Sequence, residues 1–565
     1  MKKSFFKRAA KKLVACTLAS VMMIGGLTAC GGSGKNKKTV TLTVFSERAN
    51  YSGEQMGWTA KYLLDNYNVK LNIVPNTNGA FNTRTESGDL GDIVVFGSET
   101  DFIKSAQNGL LFDWEEDDVL SEYGAYIKEN CPKALDKVRG MTDAGKIYGV
   151  PFEVAPNSDD FQTKLYSWDI RWDLYEQLGH PEVKDLDDYM QLFKDMKEIC
   201  PTDETGKPTY AFSLWPDWDG DMVMYVQNMA RIYYGLDEFQ NGLYDPATGE
   251  FHGALEENGP YLEMLRFFHD LYVNDLLDPA SMTATYDSMV EKMSKSGVFA
   301  SVFKYAGEDI YNTDEHVSQN KIMKPLRPEN SVITVEGLNP LGSNNYWAIG
   351  AKTEYPELCM EIINFFYTPD GYMFSLYGPK GVTWDYDEDG NTFFTELGKK
   401  TNNDKSTPME GDYAGSTYHD GECQINMTSW SISCENPNSN GETYDCGDWK
   451  SEQGEPKCDA EADWRSFTGC TSFDEYIRTG KYVVKVGSAY TEKERPAELE
   501  TTWTNVKNCV VTNSWKAIYA KDDAEYDKIV ADMIKQAKDY GYDEVLKWAE
   551  ERAVERKAAE DAVSK

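Results

Sequence analysis

Positive charge is scarce: 57 Lys and Arg face 94 Asp and Glu, for a formal net charge of −37. A body this acidic has no basic stripe to track phosphates, which excludes nucleic acid as a ligand. Histidine is scarcer still. The five residues His180, His252, His269, His316 and His419 form no HExxH pair and lie near no GxSxG elbow, so zinc-hydrolase and nucleophile-elbow chemistry lack their residues. No close CxxC pair occurs, which argues against a zinc ribbon. Beyond the N-terminus there is no second long apolar run, and no repeat with a period of roughly 20 to 50 residues is evident apart from a cysteine spacing.

The one long apolar run, Leu13 to Gly26, follows six cations (Lys2, Lys3, Lys7, Arg8, Lys11, Lys12) and precedes Leu27-Thr28-Ala29-Cys30. It is 14 residues long, short of the about 20 needed to cross a ~30 Å hydrocarbon core, so it reads as a processed export signal over residues 1–29. The segment resembles a bacterial lipobox, which implies cleavage before Cys30 and diacylglycerol on its thiol. Residues 30–38, rich in Gly and Lys, then read as a tether, and loss of residues 1–29 takes the net charge to −43.

At 41% hydrophobic and 13% aromatic, the remainder has material for more than one core, and its length favours two large lobes. The 14 Trp and 35 Tyr exceed what cores generally need, since each carries a polar atom that wants a partner when buried. That surplus suits flat, hydroxylated ligands. Thr39-Val40-Thr41-Leu42-Thr43-Val44-Phe45 and Val69-Lys70-Leu71-Asn72-Ile73-Val74-Pro75 alternate as strands, and Asp92-Ile93-Val94-Val95-Phe96-Gly97 reads as a strand buried on both faces. Strands alternating with helices predict an α/β lobe with ligands at the strand carboxyl ends. Near the end, Tyr526, Ile529, Val530, Met533, Ile534, Ala537 and Tyr540 keep helical spacing, and Gly541 supplies a stop. Cys423, Cys434, Cys446, Cys458 and Cys470 recur at steps of 11 or 12 in a polar segment. Outside the cell one or two disulfides at most are expected, with no pairing implied.

Trp215-Pro216-Asp217-Trp218-Asp219-Gly220-Asp221 reads as a loop offering indoles and carboxylates together. An exposed indole covers the C–H face of a sugar ring while carboxylates accept from its hydroxyl rim, which makes Trp215, Trp218, Asp219 and Asp221 candidate ligand contacts, with one of the two Trp open to a core role. Asp385, Asp387, Asp389 and Glu396 fit the D-x-D-x-D-G-x5-E calcium pattern. The same stretch, with Trp384, Tyr386, Phe393 and Phe394 around Asp389-Gly390-Asn391, also reads as a hairpin, and both readings stand.

Lys146-Ile147-Tyr148-Gly149-Val150-Pro151, then Asp169-Ile170-Arg171-Trp172-Asp173-Leu174-Tyr175-Glu176-Gln177-Leu178-Gly179, then Trp347-Ala348-Ile349-Gly350-Ala351-Lys352 and Tyr377-Gly378-Pro379-Lys380-Gly381-Val382-Thr383-Trp384 make the chain similar to extracellular solute-binding proteins of family 1, lipoprotein components of carbohydrate ABC importers. The resemblance implies a type II periplasmic-binding-protein-like fold, two α/β lobes joined by a hinge, each a sheet flanked by helices. It places residues 39–157 and 345–494 in the first lobe, with a divergent cysteine-rich segment at 401–494. Residues 158–344 and 495–565, the latter with the C-terminal helices, fall in the second. It implies an oligosaccharide in the interlobe cleft, permease subunits of an importer as partners, a monomer on the outer face of the bacterial cytoplasmic membrane, no bond made or broken, and no required cofactor beyond a structural calcium if the acidic pattern holds one. It adds Tyr305, Tyr346, Trp347 and Trp384 to the ligand-contact candidates; Phe96 joins them from the carboxyl end of its buried strand, Glu153 from its place just after the hinge strand, and Trp430 as an aromatic of the divergent segment. A lipid-anchored glycoside hydrolase and a same-fold binder of peptide or another solute are the alternatives, because a catalytic carboxylate pair is defined by its separation in space.

Overall fold

A computed structural model describes residues 38–564 apart from 78, 159, 164 and 489. The export signal, Cys30 and the tether up to residue 37 lie outside the described residues. No described helix is long and apolar enough to cross a membrane.

The first lobe is built on a six-stranded sheet in the order Gly53–Glu54, Val69–Pro75, Val40–Ser46, Ile93–Phe96, Tyr346–Ile349, Gly149–Pro151. Val40–Ser46 runs parallel to Ile93–Phe96, with Val44 opposite Ile93, while Tyr346–Ile349 returns antiparallel between Ile93–Phe96 and Gly149–Pro151. All four residues of Ile93–Phe96 are buried, as expected of a strand covered by helices on both faces. The second lobe has a smaller antiparallel sheet with Tyr166–Arg171 between Ala300–Phe303 and Met323–Pro325. A second triplet has Ile333–Gly337 between Tyr482–Lys485 and Phe161–Gln162. Helices enclose both, including the predicted Asp523–Tyr540, which begins at the Asp522 cap and ends at Gly541 with φ 103°. The chain is thus a two-lobed α/β protein.

Three stretches of chain form the hinge. Phe152 N–H donates to Asn345 O and Ser343 N–H to Phe152 O, at 2.9 and 2.8 Å, while Ala155 N–H reaches Asn339 O at 3.2 Å. The third stretch comes from the divergent segment: Val154 N–H donates to Ser429 O and Ser431 N–H to Val154 O, at 3.1 and 3.0 Å. These backbone pairings tie the three stretches into one bundle, the kind of junction about which two-lobed binding proteins turn.

The divergent segment does not belong to the first lobe throughout, as the boundary at 494 supposed. Its early part does. Trp58 donates from Nε1 to Tyr418 O at 2.9 Å, and a Cβ on Gly421 would stand 2.2 Å from Trp58 Cδ1. Gly421→Ala therefore forces that indole off its seat and is expected to cost about 1–3 kcal/mol in urea unfolding. From Cys458 onward the packing partner changes: Ala460, Trp464, Cys470, Tyr476 and Ile477 are buried in the second lobe's core, and Tyr482–Lys485 joins its sheet. The regular cysteine spacing is not a disulfide framework either. All nine described cysteines, from Cys131 to Cys509, are free thiols.

Candidate functional site

The parallel strands of the first lobe end at Ser46, Phe96 and Pro151, and the return strand starts at Tyr346, so the residues just beyond collect along one sheet edge. Glu47 Oε2 accepts the Gly97 N–H at 2.8 Å. Arg48 donates from Nη1 to Asn345 Oδ1 at 3.1 Å and from Nε to Asn426 O at 3.3 Å, with Asn426 Nδ2 returning a bond to Arg48 O at 2.8 Å. Glu153 is exposed at the same edge, held at φ 53° as the chain enters the hinge. The crossings at 152–165 and 338–345 leave from this edge.

They arrive at the end of the second lobe's sheet where Tyr166 pairs with Phe303. Immediately beside that pair is an aromatic platform. Trp218 is 49% exposed and stacks on Tyr286 with ring centroids 4.8 Å apart at 30°, and Tyr305 lies 6.4 Å from Trp218. Beneath them Trp215, fully buried, meets Trp218, Tyr286 and Tyr225 edge-on at 5.5, 5.3 and 5.1 Å. The loop owes its shape to its carboxylates. Asp217 Oδ2 accepts the Tyr286 N–H at 3.1 Å, which opens the helix Tyr286–Met293 beside the Trp218 ring. Asp219 accepts from Met224 N–H at 2.9 Å and from Trp515 Nε1 at 2.6 Å, and Asp221 accepts from Trp503 Nε1 at 2.9 Å.

The structure corrects several of the predicted contacts. Asp219 and Asp221 hold the platform loop against the helix Ala497–Ile518, and burial pushes the Asp219 carboxyl up to about 6. Trp215 is the base of the platform. Phe96 packs edge-on against Phe102 and Phe81 in the first-lobe core. Tyr346 stacks on Phe102 at 4.4 Å and donates its hydroxyl to Glu99. Trp347 is wedged between Phe152 and Phe366 with no exposed surface. Trp384 opens the hairpin Trp384–Tyr386 with Thr392–Phe394 and donates to Gly378 O at 2.8 Å. Trp430 is a hinge residue, donating to Tyr367 O at 2.7 Å. In each case a first-lobe ring covers its own sheet or hinge, so a grip by indoles from both lobes is not what the fold builds. Trp218, Tyr305 and Glu153 keep solvent-exposed surface.

The four calcium candidates do not converge. Asp387 accepts from Asp389 N–H at 2.9 Å and Asn391 N–H at 2.8 Å, which closes the hairpin turn, and Asp385 Oδ1 accepts the Tyr386 N–H at 2.9 Å. Glu396 starts the helix Glu396–Asn403 with its side chain 89% exposed. The hairpin reading is the one realised.

Sequence reasoning missed Glu47, Arg48 and Tyr286. The first two stand one and two positions past a predicted strand's carboxyl end, a signal that was legible; Tyr286 carries none. Glu47 is pushed up to about 7 by burial, relieved in part by the Gly97 N–H and worsened by Asp101. Its Oε1 is buried without a hydrogen-bond partner. A carboxyl raised from 4.5 to about 7 on folding is neutral in the fold where it is ionised in the unfolded chain, so stability is full below about 4.5 and falls as pH rises toward 7. Glu47→Gln should therefore be more stable than the parent at pH 8 and no better at pH 4, measured by urea unfolding at both.

No family model matches the chain, and no curated protein matches it. Among solved structures, an extracellular solute-binding protein from Bifidobacterium longum subsp. infantis is similar over 94% of this chain and 100% of its own, at 16% identity and a TM-score of 0.50. An HMO-binding, ABC-transporter-associated solute-binding protein from Bifidobacterium longum infantis aligns over 92% and 99% at 14% identity and TM-score 0.47. The N-glycan transport solute-binding protein NgtS from Streptococcus pneumoniae aligns over 92% and 99% at 16% identity and TM-score 0.44. At these identities the likeness concerns the fold, and the fold of this chain is that of the two-lobed extracellular solute-binding protein it matches end to end.

Proposed function

We propose that the protein is a lipid-anchored, monomeric solute-binding protein that captures an oligosaccharide between its lobes and delivers it to the membrane subunits of an ABC importer. The observation that supports this reading is the exposed platform of Trp218, Tyr286 and Tyr305 beside the strand end that the hinge reaches; the first-lobe edge from which the hinge leaves carries unlike chemistry in Glu47, Arg48, Gly97, Asn345 and Glu153. A sugar presents one apolar C–H face and a rim of hydroxyls. The platform offers stacking area, and the first-lobe edge offers a carboxyl, a guanidinium, an amide and a backbone, so one lobe covers the ring and the other reads the rim. Contacts from both sides exist together only when the lobes close, so the ligand shifts the population toward the closed state. The lipobox-like Leu27-Thr28-Ala29-Cys30 supplies the anchor that keeps the body beside a membrane partner.

A panel of plant and host oligosaccharides, followed by calorimetry and chromatography of the sugars after incubation, tests this reading. Saturable heat with the sugars recovered intact is the expected result. Shorter products would make the protein a glycoside hydrolase, and heat with peptides alone would make it a same-fold binder of another solute.

A further inference from the structure

A cluster remote from the cleft holds a histidine whose bonding is incomplete. His269, on the helix Pro260–Val273, has no exposed surface, and its Nδ1 lies 3.3 Å from the carbonyl of Ile518, the last residue of the helix Ala497–Ile518. A carbonyl only accepts, so Nδ1 carries a proton and Nε2 is the ring nitrogen left to meet a second partner. Nε2 has no hydrogen-bond partner, and the group facing it at 3.5 Å is Asp523 Oδ1, another acceptor. A ring nitrogen and a carboxylate opposed this closely want a cation between them, a proton or a metal ion.

Asp270 completes a triangle. One ligand atom each from His269, Asp270 and Asp523 lies within 4.8 Å of the others, wider than the roughly 3.3–3.6 Å between ligands about 2.0–2.2 Å from a common zinc ion, so the exposed Asp523 side chain has to close in to complete the site. The local charge balance points the same way. Asp270, Asp523 and Asp527 gather around a single guanidinium, Arg266, which pairs with Asp523 at 3.3 Å and with Asp527 while lying 3.7 Å over the Tyr526 ring. Three carboxylates thus share one guanidinium here. The Ile518 carbonyl is the outer partner that fixes the tautomer of a metal-bound imidazole.

We propose that His269, Asp270 and Asp523 bind a divalent cation of the zinc class, clamping the helix Pro260–Val273 to the junction of the first two C-terminal helices. Imidazole with two carboxylates favours zinc, nickel or copper over magnesium and calcium. Binding to the folded chain alone raises its thermal midpoint.

The test is a calorimetric titration of zinc into the chelator-treated, full mature chain and into Asp523→Asn and Asp270→Asn. Asp523 is 78% exposed at its side chain, so Asp523→Asn should unfold at the parent's temperature in chelator and remain a valid probe. Because nine free thiols offer zinc other homes, the assignment rests on the difference between parent and variants. One site weakened at least tenfold in both variants, with a zinc-dependent rise in thermal midpoint confined to the parent, supports the proposal. Zinc uptake unchanged in both variants, no saturable uptake by the parent, or displacement of zinc by equimolar calcium overturns it; in that event the contact is a protonated His269 paired with Asp523. No outcome depends on the identity of the cleft ligand.

Discussion

Trp218→Ala is expected to weaken ligand binding by about 2–3 kcal/mol, roughly 30- to 150-fold in Kd, while leaving the unfolding midpoint almost unchanged. The ring is half exposed and rests on Tyr286, so its removal opens no cavity; what disappears is the flat surface a sugar would cover. Trp215→Ala should behave in the opposite sense. Trp215 fills the space beneath the platform with no exposed surface, so its loss costs about 3–5 kcal/mol of stability, and any loss of affinity follows from a collapsed support. Trp347→Ala and Trp384→Ala should likewise register in stability alone. Calorimetry and urea unfolding on the four variants separate these outcomes. Unchanged affinity in Trp218→Ala, with ligand bound normally by the parent, would remove the platform from the mechanism.

A loss of stability as large, about 3–5 kcal/mol, is expected from Arg231→Ala. Arg231 is buried on the helix Met224–Tyr234, its guanidinium 4.1 Å over the Tyr166 ring, and it pairs with Asp237 and Glu336. Asp237 also takes Arg556 at 2.8 Å and Lys485 at 3.2 Å, and Arg556 meets Glu560 at 2.8 Å. The network therefore joins the second lobe's helix to the strand entering the hinge, to the end of the divergent segment and to the C-terminal helix Tyr542–Ser564. Truncating Arg231 leaves two acids facing a hole it had neutralised. Burial alone would raise the Asp237 carboxyl, but Arg231, Lys485 and Arg556 outweigh it and hold it at about 2. A depressed carboxyl contributes its stability above its unfolded value and loses it as pH falls from about 4 toward 2. Acid unfolding of the parent should show that loss in this window, and Asp237→Asn should flatten it. A wild-type acid profile in Asp237→Asn would mean the charges are not coupled to folding.

Some features could be read directly because neighbouring residues dictate them. Alternation in Thr39 to Phe45, the unbroken apolar run at Ile93 to Phe96, and the periodic positions from Tyr526 to Tyr540 with Gly541 behind them all appear as the elements expected. The platform loop was legible as well, since Pro216 and Gly220 exclude a helix and Trp218 sits between them. What sequence could not give was the direction each ring faces. Trp347 and Trp218 are the same side chain, and only the sheet and helices around Trp347 distinguish core from cleft. The carboxylates of Asp219 and Asp221 looked like ligand groups because their partners, Trp515 and Trp503, lie nearly 300 positions away.

Local pattern, then, determined that this chain alternates strands and helices, folds as two α/β bodies, and concentrates aromatic and acidic groups in one loop of the second. Tertiary structure decided which of those groups meet solvent, where the divergent segment changes lobes, and that the described cysteines stay unpaired. The reason is that periodicity records whether a residue is buried on average along its own element, whereas exposure at a cleft depends on which distant element covers it.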